Sequence, residues 1–389
     1  MINKLKKNIL FSVYVIGFLM SLQLALSNYI NSSFINQFIA EKYTGLVYIA
    51  EAVIAIIGFV FAARLLKLFG NFRTALVLIY LQVLSLFGLI CFGNVYTLIF
   101  LMIGYLSTAT FIVFCFDVFL ENYSKDESTG HTRGLYLTSL NLAWMVAPAL
   151  SGLILAKGEY WKIYLACLFL LLPIIIIYRG VLSDFKDPHY QQVPLRHAVR
   201  QIWKDRNIRN IFGASLLLHF FYSWMTIYMP IYLHSNLGFS WLEIGLIFSI
   251  MLVPFVLVQF PAGKLADQRL GEKEMLTFGF IIMACATGLI YFIHSDSIWV
   301  WALILFTTRI GAAIVEAMCD IYFFKKVNGQ DVGMISFYRM SRPLAYVLGP
   351  AIGSALLYFG FGNVAALFIV LALITFVGLR FSLVIEDTN

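Results

Sequence analysis

The segment YLTSLNLAWMVAPALSG, residues 136–152, recurs later in the chain as YRMSRPLAYVLGPAIGS, residues 338–354. The two segments carry the same residue at several matching positions, for example Pro148 and Pro350. Such a repeat indicates that the chain consists of two similar halves. Paired halves of this kind are common in membrane proteins whose substrates bind between two related bundles.

The composition is that of a membrane protein. Of the 389 residues, 61% are hydrophobic and 12% are charged, and the mean hydropathy is +0.87. Soluble domains have about 25% charged residues, and a helix needs about 20 apolar residues to cross a bilayer. The sequence therefore predicts an all-α integral membrane protein with twelve transmembrane helices in two pseudo-symmetric six-helix bundles. The predicted spans are 8–34, 43–66, 72–93, 95–120, 132–156, 160–181, 209–234, 241–263, 274–294, 298–323, 333–358 and 360–384.

One long polar connection divides the chain into an N-terminal six-helix bundle (1–181), a cytoplasmic linker (182–208) and a C-terminal six-helix bundle (209–389). Within the linker, VPLRHAVRQIWKDR places apolar and basic side chains on different sides of a helix. This pattern is typical of an amphipathic helix in the membrane interface. We expect a tether between the halves, with regulation or lipid sensing as the alternative.

The basic residues predict the orientation. Most of the 27 Lys and Arg fall on one side of the predicted spans, and only Lys42, Lys157 and Lys162 fall on the other. Because basic loops stay in the cytoplasm, we expect a multi-pass protein of the cell (inner) membrane with cytoplasmic N- and C-termini.

Several classes of function lack a sequence signature. The five cysteines stand singly in apolar segments, without metal-ligand spacing. No nucleophile–base set and no phosphate-binding glycine loop is present. We therefore expect no enzyme activity, no cofactor, no metal and no nucleic acid. The expected partners of a monomer are a small-molecule substrate, protons and membrane lipids.

The loop GKLADQRLGEKEML, residues 263–276, resembles the loop signature of the major facilitator superfamily. The resemblance extends over essentially the whole chain and implies the major facilitator fold. It also implies a cytoplasmic latch in which Asp267 and Arg269 act in gating. The first-half counterpart, ARLLKLFGNFRTAL, lacks the aspartate.

A second resemblance concerns the fifth span, where AWMVAPALSG (143–152) is similar to a motif of the drug/proton antiporter branch of this superfamily. It implies proton antiport. The eleventh span carries a similar run, AYVLGPAIGS (345–354). Since small residues let helices approach closely, helix packing is the alternative interpretation.

The tenth span, TTRIGAAIVEAMCDIYFFKK (307–326), contains Arg309, Glu316 and Asp320 within about 60° of helix surface. A charge at the bilayer centre costs at least about 2.5–3.5 kcal/mol. Arg309 and Glu316 have no charged counterpart in the first half. We therefore predict that Glu316 couples transport to protons and that Arg309 acts in coupling and substrate binding. A buried structural ion pair is the alternative.

Two further residues are candidates for proton coupling. Glu51 lies in the second span and either binds a proton or makes a polar helix contact. His219 in the seventh span titrates near physiological pH and either joins the proton path or packs as a hydrogen-bonded histidine.

In the family that the chain resembles, the first, fourth, seventh and tenth helices line the cavity. Polar side chains on these predicted helices, together with Arg342 of the eleventh, are our substrate-binding candidates. Arg342 alternatively completes a gating network. The candidates are Gln23, Asn28, Tyr105, Thr108, His219, Tyr222, Ser223, Thr226, Arg309 and Arg342.

The repeat also predicts gating residues. CFDVF in the fourth span matches MCDIY in the tenth, which pairs Asp117 with Asp320. We expect these two carboxylates to act in a cytoplasmic gate, with Arg269 or Arg339 as the partner of Asp320. The full predicted gating set is Asp117, Asp320, Asp267, Arg269 and Arg339.

These features predict a secondary active transporter that works by alternating access. Aromatic residues make up 16% of the chain and favour proton-coupled efflux of amphipathic or aromatic compounds. The first alternative is uptake of an organic anion or polar nutrient, with Arg309 and Arg342 binding the anion. The second is a non-transporting membrane sensor or lipid-handling protein.

Overall fold

The computed structural model describes residues 2–91, 93–123, 129–183, 195–266, 270–326, 332–360 and 364–387. The regular elements in these ranges are all helices. The first half contains α1 (Ile2–Asn28), α2 (Asn31–Asn36), α3 (Glu41–Phe69), α4 (Asn71–Cys91), α5 (Val95–Tyr123), α6 (Thr129–Ile154) and α7 (Trp161–Val181).

A linker helix, α8 (Leu195–Lys204), occupies the segment in which an amphipathic helix is predicted. The second half then contains α9 (Arg206–Ile231), α10 (Trp241–Leu257), α11 (Gln259–Leu265), α12 (Gly271–Leu289), α13 (Ile298–Lys326), α14 (Val332–Arg339), α15 (Ser341–Tyr358), α16 (Val364–Phe376) and α17 (Gly378–Ser382). A π-helical turn follows α9, and a 3-10 turn follows α12.

The predicted fold class is confirmed. Ten helices in the described ranges are long and apolar enough to cross a membrane. A shorter apolar helix, Ser139–Ile154, lies in the predicted fifth span, and α14 with α15 covers the eleventh. The arrangement is consistent with twelve spans.

Two helix breaks in the second half follow directly from proline. A proline ring clashes with the carbonyl group four residues earlier and lacks an N–H. α10 ends at Leu257, four residues before Pro261, and α14 ends at Arg339, four residues before Pro343. These breaks set the positions of Gln259 at the start of α11 and of Arg342 at the start of α15.

The halves meet along two seams, α3 against α15 and α6 against α10. We call the end of the molecule where α7 stops and α9 starts the linker end, and the opposite end the far end. Helices α6 and α10 cross at Gly152 and Gly245, near the far end. A methyl group on Gly245 would overlap the Pro148 carbonyl oxygen there. On the other seam, Gly45 packs against Ser354. The two halves are therefore in close contact at the far end.

The small residues of the fifth-span motif take part in this packing. Gly152 lies on α10, and the Ser151 hydroxyl donates to the Leu26 carbonyl oxygen of α1 at 2.6 Å. In the matching run of α15, Gly349 packs against Ser223 of α9. These contacts support the helix-packing interpretation of both runs.

The C-terminal segment ties together three helices at the linker end. Asp387 Oδ1 accepts from the Lys273 backbone N–H at 2.9 Å, in the first turn of α12. The Tyr322 hydroxyl of α13 donates to the Glu386 carbonyl oxygen at 2.6 Å. The Glu386 N–H donates to Asn207 Oδ1 of α9 at 3.4 Å. Asp387, which is distant from α12 in sequence, therefore caps the N-terminus of that helix.

Replacement of Asp387 by Ala should lower the free energy of unfolding by about 1 kcal/mol, because an N-terminal N–H of α12 loses its acceptor. Thermal unfolding of the purified protein, followed by tryptophan fluorescence, measures the loss. Glu386→Ala is the matched control, since the described hydrogen bonds of Glu386 use its backbone. Equal stability of the two variants would contradict the capping role.

Candidate functional site

Arg309, Glu316 and Asp320 lie along α13, which runs from the far end to the linker end. Arg309 is 2% exposed, Glu316 is half-buried and Asp320 is exposed. Exposure along this part of α13 therefore increases toward the linker end.

Tyr222 of α9 lies between Arg309 and Glu316. Its hydroxyl donates to Glu316 Oε2 at 3.1 Å. The Arg309 guanidinium carbon lies 5.7 Å from the centre of the same ring. Arg309 and Glu316 form no ion pair with each other in the structure. The tyrosine thus contacts the cation with its ring and the carboxylate with its hydroxyl.

Gln259, at the start of α11, is a second partner of Glu316. Its Nε2 donates to Glu316 Oε2 at 3.3 Å. Gln259 is not among the site residues predicted from the sequence. A single amide side chain within the apolar run VLVQFP indicates a polar contact in the membrane. The direction in which that side chain points depends on the break between α10 and α11, which the sequence does not show.

Arg309 has an incomplete set of partners. Its Nη1 is buried without a hydrogen-bond partner, and its guanidinium carbon lies 5.0 Å from the centre of the Phe221 ring. The ring faces supply a cation–π attraction of about 0.5–2 kcal/mol, but no acceptor for this nitrogen. Tyr29, between α1 and α2, interacts electrostatically with the guanidinium. Tyr29, like Gln259, is absent from the site residues predicted from the sequence.

Arg342 lies in the first turn of α15 and is exposed. Its guanidinium carbon is 6.0 Å from the centre of the Tyr346 ring, and it makes no hydrogen bond or ion pair with a described residue. It interacts electrostatically with Tyr29, as Arg309 does, and with Glu316. We call the set Tyr29, Tyr222, Arg309, Glu316 and Arg342 the central cluster.

The structure places Glu51 and His219 near this cluster but gives each its own partners. Glu51 is 8% exposed and accepts from Thr110 Oγ1 at 3.1 Å. His219 Nδ1 lies 2.8 Å from the Ser215 carbonyl oxygen in the preceding turn of α9. Arg342 interacts electrostatically with both residues. Their roles in proton coupling stay predictions.

The candidates in α1 and α5 bond mainly within the first half. Gln23 Nε2 donates to the Tyr105 hydroxyl at 3.1 Å, and Ser27 Oγ lies 2.7 Å from that hydroxyl. Thr108 bonds to the Gly104 carbonyl oxygen of its own helix at 2.8 Å. Asn28, the last residue of α1, is half-buried. Substrate binding by these residues stays a prediction.

Two candidates in α9 are buried in its packing. The Ser223 hydroxyl donates to the Phe220 carbonyl oxygen at 2.8 Å, and the side chain packs on Gly349 of α15. Thr226 is 5% exposed. The structure thus brings Tyr222, Arg309 and Arg342 into the central cluster and places Ser223 against α15.

For the predicted gate, the structure gives Asp320 a tyrosine partner. The Tyr338 hydroxyl of α14 donates to Asp320 Oδ1 at 3.1 Å, and the Tyr338 ring stacks on Phe323 with centroids 4.0 Å apart. Arg339 is the last residue of α14 and is half-buried. The other gating predictions fall outside the described part of the chain, namely Asp267, Arg269 and the side chain of Asp117.

A family model now identifies the architecture. The model of the Major Facilitator Superfamily matches residues 9–333 and 236–388. The chain belongs to the major facilitator superfamily. None of the curated proteins matches the sequence.

Solved structures of superfamily transporters share the fold. A mutant of the nucleoside transporter NupG has a TM-score of 0.78 at 11% identity, over 96% of this chain and 99% of that chain. A bacterial homologue of the human lysosomal transporter Spinster, inward-facing and unoccupied, has a TM-score of 0.69 at 13% identity, over 97% and 93%. Family and fold together make this chain a multi-pass membrane transporter for small molecules and not an enzyme.

Proposed function

We propose that this superfamily transporter is proton-coupled and that Glu316 takes up and releases the coupled proton. The observation that carries the proposal is the neutrality of the hydrogen-bond partners of Glu316. They are a tyrosine hydroxyl and a glutamine amide. The ion pairs in the described ranges join other residues, such as Lys325 with Glu272.

Neutral partners permit a change of charge at Glu316. If the carboxylate were held in a buried ion pair, protonation would leave the cation unpaired, at a cost of about 3–5 kcal/mol. The Tyr222 hydroxyl can instead donate to a carboxylate or accept from a carboxylic acid. Glu316 is half-buried, and Asp320, about one helical turn further toward the linker end, is exposed. These features support Glu316 as the proton site.

The surroundings favour amphipathic or aromatic substrates. Tyr29 packs on Phe248 with ring centroids 4.7 Å apart, and Tyr222 lies 6.2 Å from Phe255. Efflux in exchange for protons is the direction that the fifth-span resemblance favours. Co-transport of an organic anion with protons is the second candidate, and the unpaired Nη1 of Arg309 favours it.

The distribution of Lys and Arg supports a location in the cell (inner) membrane. On this orientation both termini are cytoplasmic, and the linker end faces the cytoplasm. We further propose that the transporter acts as a monomer with an N-terminal bundle (1–181), a linker (182–208) and a C-terminal bundle (209–389).

Proteoliposomes with imposed pH gradients test the coupling. The probes are aromatic compounds of fixed charge, so that pH trapping does not move them, and protein-free liposomes are the blank. Accumulation in acid-loaded vesicles is expected for exchange, and accumulation in alkaline-loaded vesicles is expected for co-transport. If a protonophore abolishes the observed accumulation, transport is coupled to protons. Equal accumulation with and without a gradient would contradict it.

A further inference from the structure

The central cluster contains two arginines that lack an acidic partner in the described part of the chain. Arg309 is 2% exposed with an unpaired Nη1. A buried donor without an acceptor costs about 1–3 kcal/mol, and more for a charged group. Three carboxylates of the described ranges that lie nearby are hydrogen-bonded to other residues: Glu51 to Thr110, Glu316 to Tyr222 and Gln259, and Asp320 to Tyr338.

We propose that the central cluster binds an aromatic organic anion, with its anionic group on Arg309 and Arg342 and its ring against the neighbouring aromatic side chains. This inference rests on the proposed proton-coupled function and names the substrate class of that same site.

The geometry of the donors fits an anion of this kind. The Arg309 and Arg342 guanidinium groups are both within electrostatic range of the Tyr29 hydroxyl. An arginine has five N–H donors in a planar fork that matches carboxylate and sulfonate oxygens. Phe221 and Tyr222 already lie against the Arg309 guanidinium, and Tyr346 lies against Arg342. An anion with an aromatic body can use both kinds of contact.

The charges also set the sign of the coupling. Within the described ranges, the charged and titratable groups near Glu316 are Tyr222 from α9, Arg342 from α15, and Arg309, Cys319 and Asp320 from α13 itself. An ionised Glu316 repels an anion and partly neutralises the two arginines. A protonated Glu316 does neither, so the anion should bind more tightly as the pH falls. Proton and anion would then bind together, which favours co-transport over exchange.

Ligand-induced thermal stabilisation of the purified full-length protein tests the site with three probes of one ring system. We expect naphthalene sulfonate to stabilise the protein, and the neutral naphthalene methanol and the cationic naphthylmethylamine to do so weakly. Arg309→Gln should weaken sulfonate binding at least about tenfold, which corresponds to about 1.4 kcal/mol. Arg309→Lys should retain part of it. The matched control is Arg380→Gln, which removes an exposed charge from α17 and should bind like the wild type.

Two outcomes overturn the anion site. One is equal stabilisation by the amine or the alcohol, and the other is unchanged sulfonate binding in both Arg309→Gln and Arg342→Gln. The proton site fails separately. If Arg309→Gln abolishes binding but the affinity for sulfonate has the same pH dependence in wild type and Glu316→Gln, the anion site stands and the assignment of Glu316 falls.

Discussion

Glu316→Gln should abolish transport driven by a pH gradient while leaving exchange of substrate for substrate across the membrane. Glutamine keeps the size of the side chain and an oxygen that accepts from Tyr222, so it mimics a protonated Glu316 that cannot release its proton. Gradient-driven accumulation in proteoliposomes should therefore fall to the level of protein-free vesicles. Counterflow of labelled substrate against unlabelled substrate, with no pH gradient, measures what remains.

Glu274→Gln is the matched control, because it makes the same chemical change on the exposed part of α12. It should retain gradient-driven transport. Loss of counterflow together with gradient-driven transport in Glu316→Gln would show that Glu316 is needed for substrate binding or for the conformational change, and would contradict a role confined to the proton.

Arg309→Met should make the protein more stable and unable to bind the aromatic anion. The substitution removes a buried donor without an acceptor, which is worth about 1–3 kcal/mol. It loses a cation–π attraction of about 0.5–2 kcal/mol, but methionine regains about 0.3–1.5 kcal/mol against the same aromatic rings. The expected net result is a higher unfolding temperature without ligand and no shift with naphthalene sulfonate.

Thermal unfolding with and without the probe measures both effects in one experiment. Arg380→Met is the control, and an exposed substitution of this kind should change the stability by no more than about 0.5 kcal/mol. A decrease of about 3–5 kcal/mol in Arg309→Met would reveal a buried ion pair of structural importance, which is the alternative that the sequence left open.

The fold could be predicted because several independent features of the sequence, spread over the whole chain, indicate the same architecture. The repeat between 136–152 and 338–354, the apolar segments and the loop at 263–276 all indicate two six-helix bundles. The helix breaks were less visible, although Pro261 and Pro343 explain them after the fact. A proline inside a long apolar run does not by itself show whether the helix bends or stops.

The site could be predicted in part. Helical spacing places Arg309 and Glu316 on the same side of α13. At a rise of about 1.5 Å per residue, their separation along the helix axis is too long for the sequence to predict an ion pair between them. The residue that fills this gap, Tyr222, was among the substrate-binding candidates. Tyr29 and Gln259 could not be predicted as site residues. The directions in which their side chains point depend on the turn after α1 and on the helix break after α10.

In the first half, polar character alone does not show which way a side chain faces. Gln23 and Tyr105 were predicted as cavity residues because they lie on helices that line the cavity in this superfamily. In the structure they bond to each other and are 0% and 1% exposed. A one-dimensional pattern does not show whether a polar side chain faces a cavity or a neighbouring helix of the same bundle.

The central claim is that Glu316 carries the coupled proton, and the proton change on ligand binding tests it most directly. Wild-type protein in weakly buffered detergent should take up protons when naphthalene sulfonate is added, seen as an alkaline shift of a pH indicator. Glu316→Gln should bind the probe with no such shift, and Glu274→Gln should behave like the wild type. A shift of equal size in Glu316→Gln would contradict the claim.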